Sequence, residues 1–218
     1  MAAVASLAVA PGPAAAAGAA IHVDRPCYVN ASAFRAAPVT VRGTGWLPGD
    51  TVKLSGGQLS GTATVGADGT FVQTISGAVL GTSGPAQQPE TLTATDEGNA
   101  ADNTPATGQS ADTNFLVANL AFSVNPQEAS FKRKVTFRFS GFLPGRAIYA
   151  HYVHRGRVAA VQSFGRTSGA CGLLRKRELQ YPGGKPRYDS YTVQFDDSRS
   201  YRRGALPRIV TKLTIVRY

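Results

Sequence analysis

The 218-residue sequence predicts an all-β protein built as two β-sandwich domains in tandem. Three observations carry that expectation. Twenty-four glycines, thirteen prolines and only 17% charged residues, with no long amphipathic run, argue against helices; such a composition suits short strands punctuated by turns. Several segments alternate apolar and polar residues with the period of two that a half-buried strand requires. The phrase "GWLPGD" (Gly45 to Asp50) recurs 96 positions later as "GFLPGR" (Gly141 to Arg146), a spacing of about one sandwich domain.

Residues 1–20 are nearly all small or apolar and carry no charge. They read as a signal-like or disordered segment: an apolar stretch and the A-x-A-like end Ala17-Gly18-Ala19-Ala20 are present, without the basic start of a secretory signal. No transmembrane anchor is expected, since Pro11, Gly12 and Pro13 cut the run short of the roughly 20 residues a span needs. The expected domains are 21–118 and 119–218.

Aligning 39–54 with 135–150 gives seven identities in sixteen positions, including Val39/Val135, Arg42/Arg138 and the Gly, Leu, Pro and Gly of the phrase. In "KVTFRFS", Val135, Phe137 and Phe139 share one face and Thr136, Arg138 and Ser140 the other. The phrase itself reads as the corner of a sandwich. A glycine kinks the strand, an aromatic (Trp46 or Phe142) and a leucine plug the core, and Leu-Pro-Gly-Asp makes a type II turn. Strands are expected at 51–54, at 62–65 and 70–76 paired across "GADG", at 91–95 and at 113–117, with 96–111 a mobile polar loop. In the second copy a hairpin over 148–153 and 158–164 is followed by strands in "YDSYTVQF" and at 209–216.

The run "VTVRGTGWLPGDTV … GTATVGADGTFVQTI … TLTATDEGN" resembles the immunoglobulin-like (IPT/TIG-like) β-sandwich modules of actinobacterial exported proteins. The second half, with "SGACGLLRKRELQYPGG" and "YDSYTVQFD", resembles another group of exported β-modules from the same bacteria. The resemblance implies tandem immunoglobulin-like domains in a secreted, extracellular or cell-wall-associated protein. The first half is more weakly similar to enediyne-binding apoproteins, which hold an aromatic chromophore; those carry two disulfides within the domain, and this half has one cysteine.

Cys27 and Cys171 are the only cysteines. In an exported chain an even count suggests a bridge, here one joining the two halves; free thiols and pairing between molecules are the alternatives. His22, His151 and His154 read as surface or turn residues, and 151 and 154 point to opposite faces of a strand. Asp96, Glu97, Asp102 and Asp112 match no calcium-loop spacing, and Asp196-Asp197 reads as turn chemistry. No nucleophile-base order or phosphate-cradling glycine loop is present. No enzyme activity, cofactor or metal is therefore expected.

Charge is the strongest functional signal. Residues 1–118 carry four basic and eight acidic side chains, a net −4, and residues 119–218 carry nineteen and five, a net +14. Such asymmetry reports on partners. Lys132, Arg133, Lys134, Arg155, Arg157, Arg175, Lys176, Arg177, Arg202 and Arg203 are the candidate anion-binding residues, with tyrosines 149, 152, 181, 188, 191 and 201 interleaved. Arg175, Lys176 and Arg177 are expected in an exposed loop. The expected role is a non-enzymatic envelope protein binding an anionic surface polymer or acidic protein, with nucleic acid not the expected partner. A carrier of aromatic ligands near Trp46, or a structural spacer, are the alternatives.

Overall fold

Alternating burial along each strand follows the sequence pattern. Val39 and Val41 are buried while Arg42 and Thr44 are exposed; Val135, Phe137 and Phe139 are buried while Lys134 and Arg138 are exposed. The computed structural model describes residues 18–30, 37–77, 84–101, 103–127, 133–182, 184 and 188–215. Residues 1–17 of the signal-like segment lie outside them, as do Asp102 and Lys132.

The chain is all-β. Its strands are β1 (Ala20–Val23), β2 (Cys27–Asn30), β3 (Val39–Thr44), β4 (Thr51–Gly56), β5 (Leu59–Thr64), β6 (Phe71–Ile75), β7 (Gln87–Asp96) and β8 (Ser110–Asn119) in the first half. The second half holds β9 (Ala121–Asn125), β10 (Lys134–Ser140), β11 (Ala147–His154), β12 (Arg157–Arg166), β13 (Leu174–Leu179), β14 (Ser190–Asp196) and β15 (Ile209–Thr214). They form four sheets, ordered β1-β3-β6, β2-β8-β7-β4-β5, β13-β10-β9 and β12-β11-β14-β15. Among the described residues only β2 pairs in parallel, with β8.

Each pair of sheets closes over its own apolar cluster, as a sandwich requires. One gathers Val39, Val41, Val52, Leu54, Leu92 and Val117 with Trp46, Phe71 and Phe115. The other is dominated by aromatics: Phe137, Phe139, Phe142, Phe164, Phe195, Tyr152 and Tyr191. Phe137, Phe139, Phe164 and Phe195 all pack on one another, at centroid separations from 4.7 to 6.5 Å.

The repeated phrase has one backbone in both copies. Asp50 N donates to Leu47 O, Gly49 N to Val65 O, and Val65 N to Asp50 O. Arg146 N, Gly145 N and Thr167 N make the equivalent bonds to Leu143, Thr167 and Arg146. Gly49 (φ +85°) and Gly145 (φ +71°) supply the left-handed third position of the type II turn. Trp46 and Phe142 are buried plugs. Leu47 and Leu143 are not: they are 42% and 51% exposed, because the turn points them away from the core.

Two other expectations change. "GADG" does not join a hairpin: β5 pairs with β4, and β6 crosses to pair with β3 in the facing sheet. Burial of Leu59 and Ala63 on one sheet and of Phe71 and Ile75 on the other decides this, since the turn residues suit either connection. Arg175, Lys176 and Arg177 lie on the edge strand β13, not in a loop. The loop after β7 is cross-braced, with Asp96 accepting from Gly98 N and from both Thr107 N and its hydroxyl.

Cys27 and Cys171 form a disulfide across 144 residues. Around it the halves meet through Leu120 N donating to Asn30 O and Ser140 Oγ to Asn119 O at 2.6 Å. Gly141 sits against this junction, where a Cβ would come within 2.7 Å of Asn119 O and Leu120 Cα. Among the described residues no helix is long and apolar enough to cross a membrane.

Candidate anion-binding face

The ladder between β10 and β13 determines which basic residues meet. Arg138 pairs with Arg175 and Thr136 with Arg177, while Lys134 pairs with Leu179. Directly opposed residues share a face, and this one is the face turned away from Phe137 and Phe139. Lys134, Arg138, Arg175 and Arg177 are all exposed there. Cross-strand neighbours stand about 5 Å apart at Cβ, and alternate residues on a strand about 6.7 Å apart. Arg138 was not among the sequence candidates. Isolated between apolar residues, it gains its company only through strand pairing; its identity with Arg42 in the repeat was the one available signal.

Electrostatics leave this face uncompensated. Arg138 and Arg175 are like charges set directly opposite, an arrangement that destabilises a sheet. The described carboxylates of the second half are engaged elsewhere. Asp197 pairs with Arg146 at 3.3 Å, Asp189 with His154 at 2.8 Å and Arg155 at 3.4 Å, and Glu178 with Lys176 at 3.7 Å. Asp196 is fully buried beside His151. Among the described residues, no ion pair reaches Lys134, Arg138, Arg175 or Arg177. The hydrogen bond from His154 and that from Ser190 N hold the Asp189 carboxyl below the usual range.

The other basic candidates lie elsewhere. Lys176 projects from the opposite face of β13, beside Glu178. Arg155 (φ +48°) forms the tip of the β11–β12 hairpin with Gly156, and Arg157 opens β12. Arg202 and Arg203 are exposed in the connection from β14 to β15, where Arg202 O accepts from Gln194. His151 pairs with Gln194 and His154 with Arg157, so about 10 Å of strand separates the Arg157 pairing from the residue that anchors Arg202. Arg133 is exposed just before β10. Nor do the tyrosines form a stacking platform: Tyr152, Tyr181 and Tyr191 are buried in the core, and Tyr188 is exposed.

His151 is not a surface residue. It is fully buried on the outer face of β11 beneath the segment after β14, with Nε2 donating to Ser198 O at 2.9 Å and lying 3.3 Å from Asp196 Oδ1. Gln194 donates to Asp196 and to Arg202 O. Beside it Tyr149, Val161, Ser163 and Arg199 line an open cavity of about 380 Å³. Trp46, the centre of the carrier alternative, is 3% exposed, donates its Nε1 to Ala20 O and packs on Phe71.

Two buried carboxyls meet in the first half. Burial, and then the neighbouring Asp96, push the Asp50 carboxyl up. Burial acts the same way on Asp96, but hydrogen bonds from Thr107 and Gly98 outweigh it and hold that carboxyl down. Glu97 instead pairs with Lys53 at 3.7 Å, and Asp112 is exposed on β8. Among the described residues no three His, Cys, Asp or Glu side chains gather.

No protein-family model matches the sequence, and no curated protein matches it. Solved structures similar to the chain include a tetra-tandem repeat from the extending region of a large adhesion protein, at 13% identity and a TM-score of 0.29. That likeness covers 91% of this chain and 49% of the other, so the chain spans about half the length of the adhesion fragment. The Pseudomonas aeruginosa CupB2 chaperone is similar at 10% identity and a TM-score of 0.26, over 88% of this chain and 97% of that one.

Proposed function

We propose that the protein is a non-enzymatic, exported β-sandwich protein of the cell envelope, with tandem domains at 21–118 and 119–218, that binds an anionic polymer or acidic protein through its basic half. The observation that carries this reading is the row formed by Arg138, Arg175 and Arg177 with Lys134. Their like charges face one another across a ladder, and the described carboxylates of that half are taken up by other partners. An anion bridging the guanidiniums would relieve that repulsion, and arginine suits phosphate and carboxylate through bidentate hydrogen bonding. The disulfide supports export, since such bonds persist in oxidising compartments. Of the original clusters, Arg175 and Arg177 remain the leading residues, joined by Arg138.

Retention of the full chain on immobilised teichoic acid, measured against salt, tests the reading. Binding should weaken with salt, and changing Arg138, Arg175 and Arg177 together to Gln should lower the log–log salt slope by about 3, near one per lost phosphate contact. Changing Arg202 and Arg203 to Gln should leave the slope nearly intact. Failure of the parent to be retained at low salt, or equal retention of the triple variant, would refute the assignment.

A further inference from the structure

The acidic pair in the first half carries a second, independent inference. Val52 pairs with Asp96 across β4 and β7, and Val52 is fully buried. Asp50, two residues earlier, therefore shares the inward face with Asp96. The β7–β8 ladder, continued one step past Thr95–Ser110, sets Gln109 opposite Asp96, and Asp96 N donates to Gln109 O at 3.0 Å. Three adjacent strands thus bring Asp50, Asp96 and Gln109 to one inward-facing end of the sheet.

Asp96 accepts from Gly98 N and from Thr107 N and its hydroxyl, but no described cation pairs with it or with Asp50. Asp50 and Asp96 are each 3% exposed. Asp50 Oδ2 and Gln109 Oε1 are buried without any hydrogen-bond partner, an arrangement whose desolvation cost goes uncompensated when nothing satisfies it. The basic residues described in this half are committed or remote. Arg25 pairs with Asp24 and Lys53 with Glu97, and Arg42 is exposed on the facing sheet.

The second copy shows what the position requires. Asp50 corresponds to Arg146 in the repeat. The β11–β14 ladder, continued one step past Tyr149–Asp196, sets Asp197 opposite Ile148, the counterpart of Val52. Asp197 is thus the counterpart of Asp96, and Arg146 Nε pairs with it at 3.3 Å. Where one copy holds an arginine against the strand-end aspartate, the other holds a second aspartate and an amide oxygen. We propose that a calcium ion occupies the place of that guanidinium, held by Asp50, Asp96 and Gln109 Oε1 with water completing its shell. All the donors are oxygens, which suits a hard cation. Calcium tolerates the irregular set that one strand-end residue and two residues just before strands provide, whereas magnesium demands near-ideal octahedral geometry. The sequence reading missed the site because it considered only Asp96, Glu97, Asp102 and Asp112, whereas Asp50 and Gln109 arrive from other strands.

Calorimetric titration of the chelator-treated full chain with CaCl2, with MgCl2 in parallel, is the decisive experiment. One calcium per chain is expected at about 10⁻⁴–10⁻³ M or tighter, in the range of extracellular modules, with a rise in melting temperature and at least about tenfold weaker uptake of magnesium. Asp50→Asn should weaken calcium at least about tenfold. Asp50→Arg should abolish the calcium response while melting no lower than the chelated parent, because it recreates the Arg146–Asp197 arrangement. Should Asp50→Arg fail to fold, Gln109→Ala, at a half-buried loop position, supplies the same affinity test. Absence of heat and of any melting shift up to about 10 mM calcium, tenfold above that range, would mean that a shared proton alone balances the pair. Parental calcium affinity in all three variants would likewise overturn the proposal.

Discussion

The two copies of the sixteen-residue repeat share a backbone and differ in what surrounds it. Both make the same three turn hydrogen bonds and both bury an aromatic plug. One closes a core of Val and Leu around Trp46, and the other a core of interlocked phenylalanines around Phe142. At the position after the turn glycine one carries Asp50 and the other Arg146, and each faces a strand-end aspartate. The two copies therefore share the steric solution, which Gly and Pro dictate locally, while charge and packing differ. The arginine row lies in one half and the buried acidic pair in the other.

The largest effect should come from cutting the link between the copies. Replacing Cys27 and Cys171 by Ser opens a closed loop of 144 residues, which the chain-entropy model values at about 5 kcal/mol. Guanidinium unfolding should show that loss, and the halves should then unfold in separable steps; an unchanged midpoint would show that the junction hydrogen bonds hold them alone. Next come the plugs. Trp46→Ala and Phe142→Ala should each cost about 3–5 kcal/mol, with Trp46→Ala the worse, because it also orphans Ala20 O, a bond worth about 1 kcal/mol. A larger loss at Phe142 would place the phenylalanine cluster above the hydrogen bond as the source of rigidity. Smallest are Leu47→Ser and Leu143→Ser, expected within about 0.5 kcal/mol because both side chains are exposed. A loss above 2 kcal/mol at either would mean that the leucine is covered in solution, by a second molecule or by a partner.

Much of the fold was legible because its signals are local. The alternation in β3 and β10, the turn at Pro48-Gly49 and Pro144-Gly145, and the hairpin from β11 to β12 each arise from residues within a few positions of one another. The partner of each strand was less legible. "GADG" is compatible with a hairpin, yet β5 and β6 part because each buries its apolar face on a different sheet. Pairing also turned the Arg175–Arg177 segment into an edge strand. Burial of His151 depended on the segment after β14 folding back over the sheet, which no alternation within β11 could signal.

By itself the sequence determined an all-β chain, the recurrence of one turn, the charge asymmetry between halves and the two cysteines available for bonding. These follow from steric limits on φ, side-chain alternation and simple charge. Tertiary structure alone decided which charges meet. Arg138 joins Arg175 and Arg177 only because β10 lies against β13, and Asp50 joins Asp96 and Gln109 only because β4, β7 and β8 are neighbours. Coulomb energy depends on distance in space, and strand pairing brings together residues that lie far apart in the chain.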